Sequence, residues 1–369
     1  MSNILSLYSE YGQSVWLDYL DRDLVTRGGL VELRGAGVRG VTSNPTIFDK
    51  AISGSSDYDD AIRDLLQADH QIDEQQLYEW LVVQDVQMAA DVMEPVYLSS
   101  GGRDGYVSLE VSPHIAYDCD ATIEAARHLW RMVDRPNLLI KVPGTEPALP
   151  AIEQLIAEGI NVNVTLLFSV ARYEAVIEAY LRGLQQNPDP GRVASVASFF
   201  VSRIDSRVDA ALDAIGSPEA KALKGRIAIA NAKMAYQSFK TALASESVAE
   251  QLKRGVQIQR PLWASTSTKN PDYRDVLYIE QLIGPQTVNT IPSDTLDAFQ
   301  AHGELSATLE ADLDEAQRQL DELARLGISL EEVARDLEQQ GVTKFIDSYE
   351  ALLATLREKR FELTKEYAT

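Results

Sequence analysis

The sequence predicts an α/β chain folded as a closed (β/α)8 barrel, the TIM-barrel architecture, with additional C-terminal helices. Eight short β-like runs recur, at residues 15–20, 40–43, 105–111, 137–142, 161–166, 193–200, 260–265 and 287–291. Helix-like stretches separate most of them, and strand alternating with helix implies parallel strands joined by crossover helices. Eight such strands suit a closed barrel, with an open doubly wound sheet as the alternative. At 369 residues chain length admits one large barrel or two ordinary domains. We expect one barrel domain over residues 1–369.

Local patterns justify the intervening elements. Ile123, Ala126, Trp130 and Val133 recur at helical spacing, and Ala171, Ala175, Ile177, Ala179 and Tyr180 do so more loosely. Gly-Ala-Gly at 35–37 precedes a strand and lacks the third glycine of a dinucleotide loop, so it reads as a turn after a helix. The stretch Gly101-Gly102-Arg103-Asp104-Gly105 reads as a loop before a strand. After about Gly303 the strands stop. Ser329 and Glu332 have capping-box spacing, and Val342, Phe345, Ile346, Tyr349, Leu352, Leu353 and Leu356 trace one apolar face. A continuous apolar face must pack on something, so residues 303–369 are expected as a docked helical extension.

Composition narrows the function classes. With 34 Lys and Arg against 56 Asp and Glu, the formal charge is −22. Such a surface repels a nucleic-acid backbone and an anionic membrane. A small phosphorylated substrate would need a local cationic cluster working against that field. Cys119 is the one cysteine, which removes internal disulfides and Cys-rich metal sites. His70, His114, His128 and His302 show no ligand spacing, so no metal is expected. No apolar run reaches the roughly 18 residues of a membrane span. Residues 1–13 carry Glu10 and no basic stretch leading into an apolar one, unlike a signal peptide. The expected compartment is the cytoplasm.

Catalytic side chains of a (β/α)8 barrel sit at the C-terminal ends of its strands. The strand ends here present Asp18, then Thr42-Ser43-Asn44-Pro45, Glu110, Lys141, Asn163-Val164-Thr165, Ser198-Phe199-Phe200 with Arg203, Ser265, and Asn289-Thr290. Lys141 follows Leu138-Leu139-Ile140 and precedes Val142-Pro143-Gly144. Burial disfavours an ammonium and frees the amine as a nucleophile; alternatively the side chain snorkels to a carboxylate at the rim. Asp18 and Glu110 each read either as a buried acid–base group or as a structural carboxylate. Asn44-Pro45 has the form of a turn. Asn163 and Thr165 lie two apart and share a strand face, where they could bind a polyol or pair with backbone. Arg203, Ser265 and Lys269, the last in Ser265-Thr266-Ser267-Thr268-Lys269-Asn270, are the candidates for an anion site.

Taken together these motifs resemble the transaldolases over essentially the whole chain. The matching stretches are Gly40-Val41-Thr42-Ser43-Asn44-Pro45-Thr46-Ile47-Phe48, Asn137-Leu138-Leu139-Ile140-Lys141-Val142-Pro143-Gly144-Thr145, Gly159-Ile160-Asn161-Val162-Asn163-Val164-Thr165-Leu166-Leu167-Phe168 and Ser198-Phe199-Phe200-Val201-Ser202-Arg203-Ile204-Asp205. Trp263-Ala264-Ser265-Thr266 before Lys269-Asn270-Pro271 is similar to the longer bacterial members.

The resemblance implies a (β/α)8 barrel, no cofactor, and transfer of a dihydroxyacetone unit between sugar phosphates in the pentose phosphate pathway; the sequence leaves monomer and homodimer both open. It implies that Lys141 forms a Schiff base with the donor ketose, that Asp18 moves the C4 hydroxyl proton, and that Glu110 and Thr165 hold a water. It further implies that Asn44, Asn163 and Ser198 bind the dihydroxyacetone hydroxyls, with Thr42 and Phe200 also against the substrate, and that Arg203 and Ser265 bind phosphate. Ser267 stands where many members carry an arginine, which leaves Lys269 as the nearest cation. Phe200 stands where the related fructose-6-phosphate aldolases carry a tyrosine, which favours transfer over release of free dihydroxyacetone. The rival readings are such a lyase and a silent barrel that only binds sugar phosphate.

Overall fold

The computed structural model describes residues 3–366, so residues 1–2 and 367–369 of the expected domain lie outside the described residues. Eight parallel strands close into a barrel in chain order: β1 (Gln13–Leu17), β2 (Gly40–Thr42), β3 (Tyr106–Glu110), β4 (Leu138–Pro143), β5 (Val162–Leu167), β6 (Ser195–Phe200), β7 (Arg260–Ala264) and β8 (Thr287–Ile291). At least one helix separates each strand from the next. β1 pairs with β8 from Gln13 opposite Thr287 to Leu17 opposite Ile291, and this ladder excludes the open sheet.

Seven strands fall close to their expected positions, while β1 is displaced. It spans five residues and ends at Leu17, not at residue 20. The next helix sets this limit. Asp21 caps the helix Arg22–Thr26 by accepting the Leu24 N–H at 2.7 Å, so the chain must already have left the sheet. Asp18 occupies the bend, its N–H donating to the Ile291 carbonyl at 2.9 Å. The helix Cys119–Val133 buries Ala126 and Val133 as its periodicity implied. In the helix Val170–Gln186 the buried face begins at Tyr173, and Ala171 is exposed. The looser pattern started that face two residues too early.

The floor of the barrel is tied by one carboxylate. Asp104, in the loop before β3, is fully buried and accepts from Ser14 Oγ (2.8 Å), Trp16 Nε1 (3.1 Å), Arg39 Nε (2.8 Å) and Arg260 Nη2 (3.0 Å). Burial raises its pKa, but Arg260 and Arg39 outweigh this and hold it below the ordinary carboxylate value. Gly40 admits the Trp16 indole, since a Cβ there would lie 2.6 Å from the ring.

Beyond β8 come the helices Ser293–His302, Leu313–Arg325 and the long Leu330–Glu366. Ser329 Oγ accepts the Glu332 N–H at 3.3 Å at the start of the last. Val342, Phe345, Tyr349, Leu352 and Leu356 are buried along it. Tyr349 meets Tyr78 edge-on at 5.2 Å, and Ser348 Oγ lies 2.8 Å from Thr46 Oγ1. The helix therefore packs on the helices between β2 and β3.

Removing the Asp104 carboxylate leaves two guanidiniums facing each other without a counter-charge. Asp104→Ala should lower the unfolding free energy by about 3 kcal/mol in urea denaturation. A loss under about 1 kcal/mol would show that the floor network is not holding the strands.

Candidate active site

The C-terminal strand ends converge on one cavity of about 250 Å³. Lys141 on β4 is 5% exposed. Parallel register sets it opposite Glu110 on β3, and its Nζ lies 3.0 Å from Glu110 Oε2. The same Nζ donates to the Ser43 carbonyl at 3.1 Å, and Ser43 is itself pinned by its hydroxyl to the Ser108 carbonyl at 2.8 Å. Glu110 Oε1 and Thr165 Oγ1 are buried without a protein hydrogen-bond partner. Burial pushes the Glu110 carboxyl up, against the pull of Lys141.

Asp18 stands in the cavity wall beside β2. Its Oδ1 accepts from Thr42 Oγ1 at 2.7 Å, and Thr42 Oγ1 lies 2.6 Å from Thr290 Oγ1. Burial raises the Asp18 carboxyl, opposed first by Lys141 and then by the Thr42 hydrogen bond. Two carboxyls whose basicity is raised by burial suit proton transfer near neutral pH better than solvated ones.

Asn44 caps the helix Pro45–Ser53, its Oδ1 accepting the Ile47 N–H at 3.1 Å. The turn reading holds, and Asn44 also lines the cavity. Asn163 is fully buried and does not line it. Its Nδ2 donates to Ser108 Oγ at 3.0 Å and its Oδ1 accepts from Ser198 Oγ at 2.7 Å, so it orients Ser198, which does line the cavity. Asn163 and Thr165 differ in this respect despite sharing a strand face.

The outer wall is cationic. Lys50, Lys141, Arg203, Lys269 and Lys344 line the cavity against a single carboxylate, Asp18. This is the local cluster that an acidic chain needs in order to bind an anion. Arg203 lies over Phe200 at 5.1 Å and near Phe345 at 5.9 Å, and burial lowers its pKa. Phe200 in turn packs on Phe168 at 5.2 Å. Ser265 adopts a left-handed φ of 56° and its Oγ lies 2.9 Å from Ser202 Oγ. Lys269 Nζ donates to Ser267 Oγ at 2.6 Å. Burial, then the neighbouring Arg203 and Lys344, push its ammonium down.

Asp18, Thr42, Asn44, Lys141, Thr165, Ser198, Phe200, Arg203, Ser265 and Lys269 are thus brought to one cavity, with Glu110 paired to Lys141. Lys50, Lys344 and the cavity role of Phe345 were not found from the sequence. Phe345 appeared only as part of the apolar helix face, and neither lysine sits at a strand end. Among the described residues no group of three or more His, Cys, Asp or Glu is arranged to hold a metal ion.

The raised carboxyls set a pH expectation. Activity should fall on the acid side with a midpoint above the ordinary carboxylate range, because burial raises both carboxyls. Thr42→Val removes a hydrogen bond that favours the Asp18 carboxylate, so it should move this limb toward neutral pH. A limb unmoved in Thr42→Val would exclude Asp18 as its source.

The chain matches the family described as Transaldolase/Fructose-6-phosphate aldolase over residues 15–356. A transaldolase of Frankia alni is 48% identical over 365 residues, covering 97% of this chain and 98% of the relative. One of Thiobacillus denitrificans is 48% identical over 359 residues, covering 96% and 99%. Transaldolase 2 of Nostoc punctiforme is 46% identical over 378 residues, covering 97% and 98%. With a buried lysine paired to a glutamate inside a closed (β/α)8 barrel and relatives this similar along its length, the chain belongs to the transaldolase/fructose-6-phosphate aldolase family.

Proposed function

We propose that this enzyme, a transaldolase, moves a dihydroxyacetone unit from sedoheptulose 7-phosphate to glyceraldehyde 3-phosphate, giving erythrose 4-phosphate and fructose 6-phosphate. The observation that carries this reading is the buried Lys141 amine, 3.0 Å from Glu110 in a cavity shared with Asp18 and four further cations. We assign the reaction to the non-oxidative pentose phosphate pathway and the enzyme to the cytoplasm, with monomer and homodimer both open.

Glu110 is placed to take a proton from the Lys141 side chain, whose amine then attacks the C2 carbonyl of the donor. Loss of water gives a protonated imine, a better electron sink than the ketone. Asp18 takes the C4 hydroxyl proton, the C3–C4 bond breaks, and its electrons settle in an enamine while the aldehyde leaves. The acceptor aldehyde then receives C3, and Asp18 returns the proton to the new hydroxyl. Glu110 Oε1 and Thr165 Oγ1, both buried without a protein hydrogen-bond partner, hold the water that forms and later hydrolyses the imine. Asn44 and Ser198 bind the hydroxyls of the three-carbon unit, with Asn163 acting through Ser198. Arg203, Ser265 and Lys269 bind the distal phosphate.

Borohydride added with fructose 6-phosphate, followed by peptide mass mapping, should leave a reduced three-carbon adduct on Lys141. Lys141→Ala should remain folded and lose both adduct and transfer. Asp18→Asn should still trap imine while cleavage slows about 100-fold or more. An unmodified, folded wild-type chain would instead indicate a barrel that only binds sugar phosphate.

Phe200 separates transfer from release. Its ring is 6% exposed and held between Phe168 and Arg203. A phenyl ring has no hydroxyl with which to orient a hydrolytic water, so the enamine persists until an acceptor arrives. Phe200→Tyr should therefore release free dihydroxyacetone from fructose 6-phosphate without an acceptor. No gain in release would sink this assignment.

A further inference from the structure

Four of the cavity's cations, Lys50, Arg203, Lys269 and Lys344, have no carboxylate within 4.0 Å among the described residues, although ion pairs abound elsewhere on this acidic chain. Gathering unpaired like charges costs Coulomb energy, and that energy is recovered when an anion arrives. Arg203 is the one guanidinium lining the cavity. The remaining charge facing a dianion therefore comes from lysines.

Lys344 reaches this wall from the C-terminal helix, and the helix register explains how. Gly341 marks a close approach of the helix to the barrel: a Cβ there would lie 2.9 Å from Leu166 Cδ2 and 3.4 Å from Arg203 Nη1. Residues three and four further along a helix share its face. These are Lys344 and Phe345, and Phe345 sits 5.6 Å from Lys141 Nζ and 5.9 Å from the Arg203 guanidinium. On its other side Lys344 borders a groove with Asp336 and Asp347. Asp336 faces Arg207 at 3.6 Å, and neither aspartate forms an ion pair with Lys344. The flexible stem of a lysine lets its ammonium reach into the cavity.

We infer that Lys344 is a ligand of the substrate's phosphate group, acting with Arg203 and Lys269, so that the C-terminal helix supplies part of the binding site. This rests on the sugar-phosphate reading above. It makes phosphate binding and docking of the helix mutually reinforcing, because the dianion bridges the helix and the barrel loops.

The test uses the full chain with Lys344→Gln and Lys344→Arg, both at an exposed helical position that tolerates either residue. Inorganic phosphate titrated by calorimetry should bind Lys344→Gln about tenfold more weakly than wild type, the scale of one lost charge-assisted hydrogen bond. KM for fructose 6-phosphate should rise by a similar factor while kcat moves less than about twofold, and Lys344→Arg should restore both affinities. Unchanged phosphate affinity in Lys344→Gln would overturn the assignment. Loss of kcat with KM unchanged would overturn it as well. A wild-type chain that binds phosphate but performs no transfer would refute the proposed reaction, and the titration would still decide Lys344.

Discussion

The active end of this barrel is organised around an ammonium that has been taken out of water. Lys141 can occupy an apolar strand only because its neighbours supply what solvent no longer does. Glu110 provides the counter-charge and the Ser43 carbonyl an acceptor. Parallel register sets the Glu110 and Lys141 side chains next to each other, so the pair is a product of strand alignment rather than loop conformation. Ser43 is held in turn through Ser108, and Ser108 accepts from Asn163, which orients Ser198. A polar network thus runs from β2 across to β6 and fixes the groups around the amine.

The two ends of the barrel treat charge in opposite ways. At the floor, Asp104 is surrounded by donors and its charge is matched by Arg39 and Arg260. At the mouth, Lys141 is paired with Glu110, but Lys50, Arg203, Lys269 and Lys344 have no carboxylate within 4.0 Å among the described residues. The floor network is complete without a ligand, as befits a structural element. The mouth carries charge that only a ligand can balance, and it does so on a chain whose formal charge is −22. Substrate anions are repelled by most of the surface and attracted at one opening, which concentrates binding there.

Much of this architecture is legible in the sequence. Strand–helix alternation predicts eight strands, and seven lie close to where apolar runs place them. β1 is the exception because Trp16-Leu17-Asp18-Tyr19-Leu20 looks like one continuous alternating strand, whereas the cap at Asp21 forces the chain out after Leu17. Of the site residues, those at strand ends are accessible to the rule that barrel chemistry sits there. Asn163 shows the limit of that rule. Its position marks it as polar and inward, but whether it faces substrate or another side chain depends on Ser108 and Ser198.

The sequence by itself determined the periodicities, and hence the number and order of strands and the helical nature of the tail. It also determined the chemical inventory at the strand ends, since those residues are carried there by local pattern. Tertiary structure alone decided closure, because β1 and β8 are joined by hydrogen bonds between segments more than 270 residues apart. It likewise decided what the apolar face of the last helix covers. The spacing of Val342, Phe345 and Tyr349 demands a partner surface without naming one. Packing at Gly341 on Leu166 and Arg203 selects that surface and carries Lys344 and Phe345 to the cavity. Periodicity is a property of neighbouring residues, whereas shape complementarity between distant ones exists only once the barrel has formed.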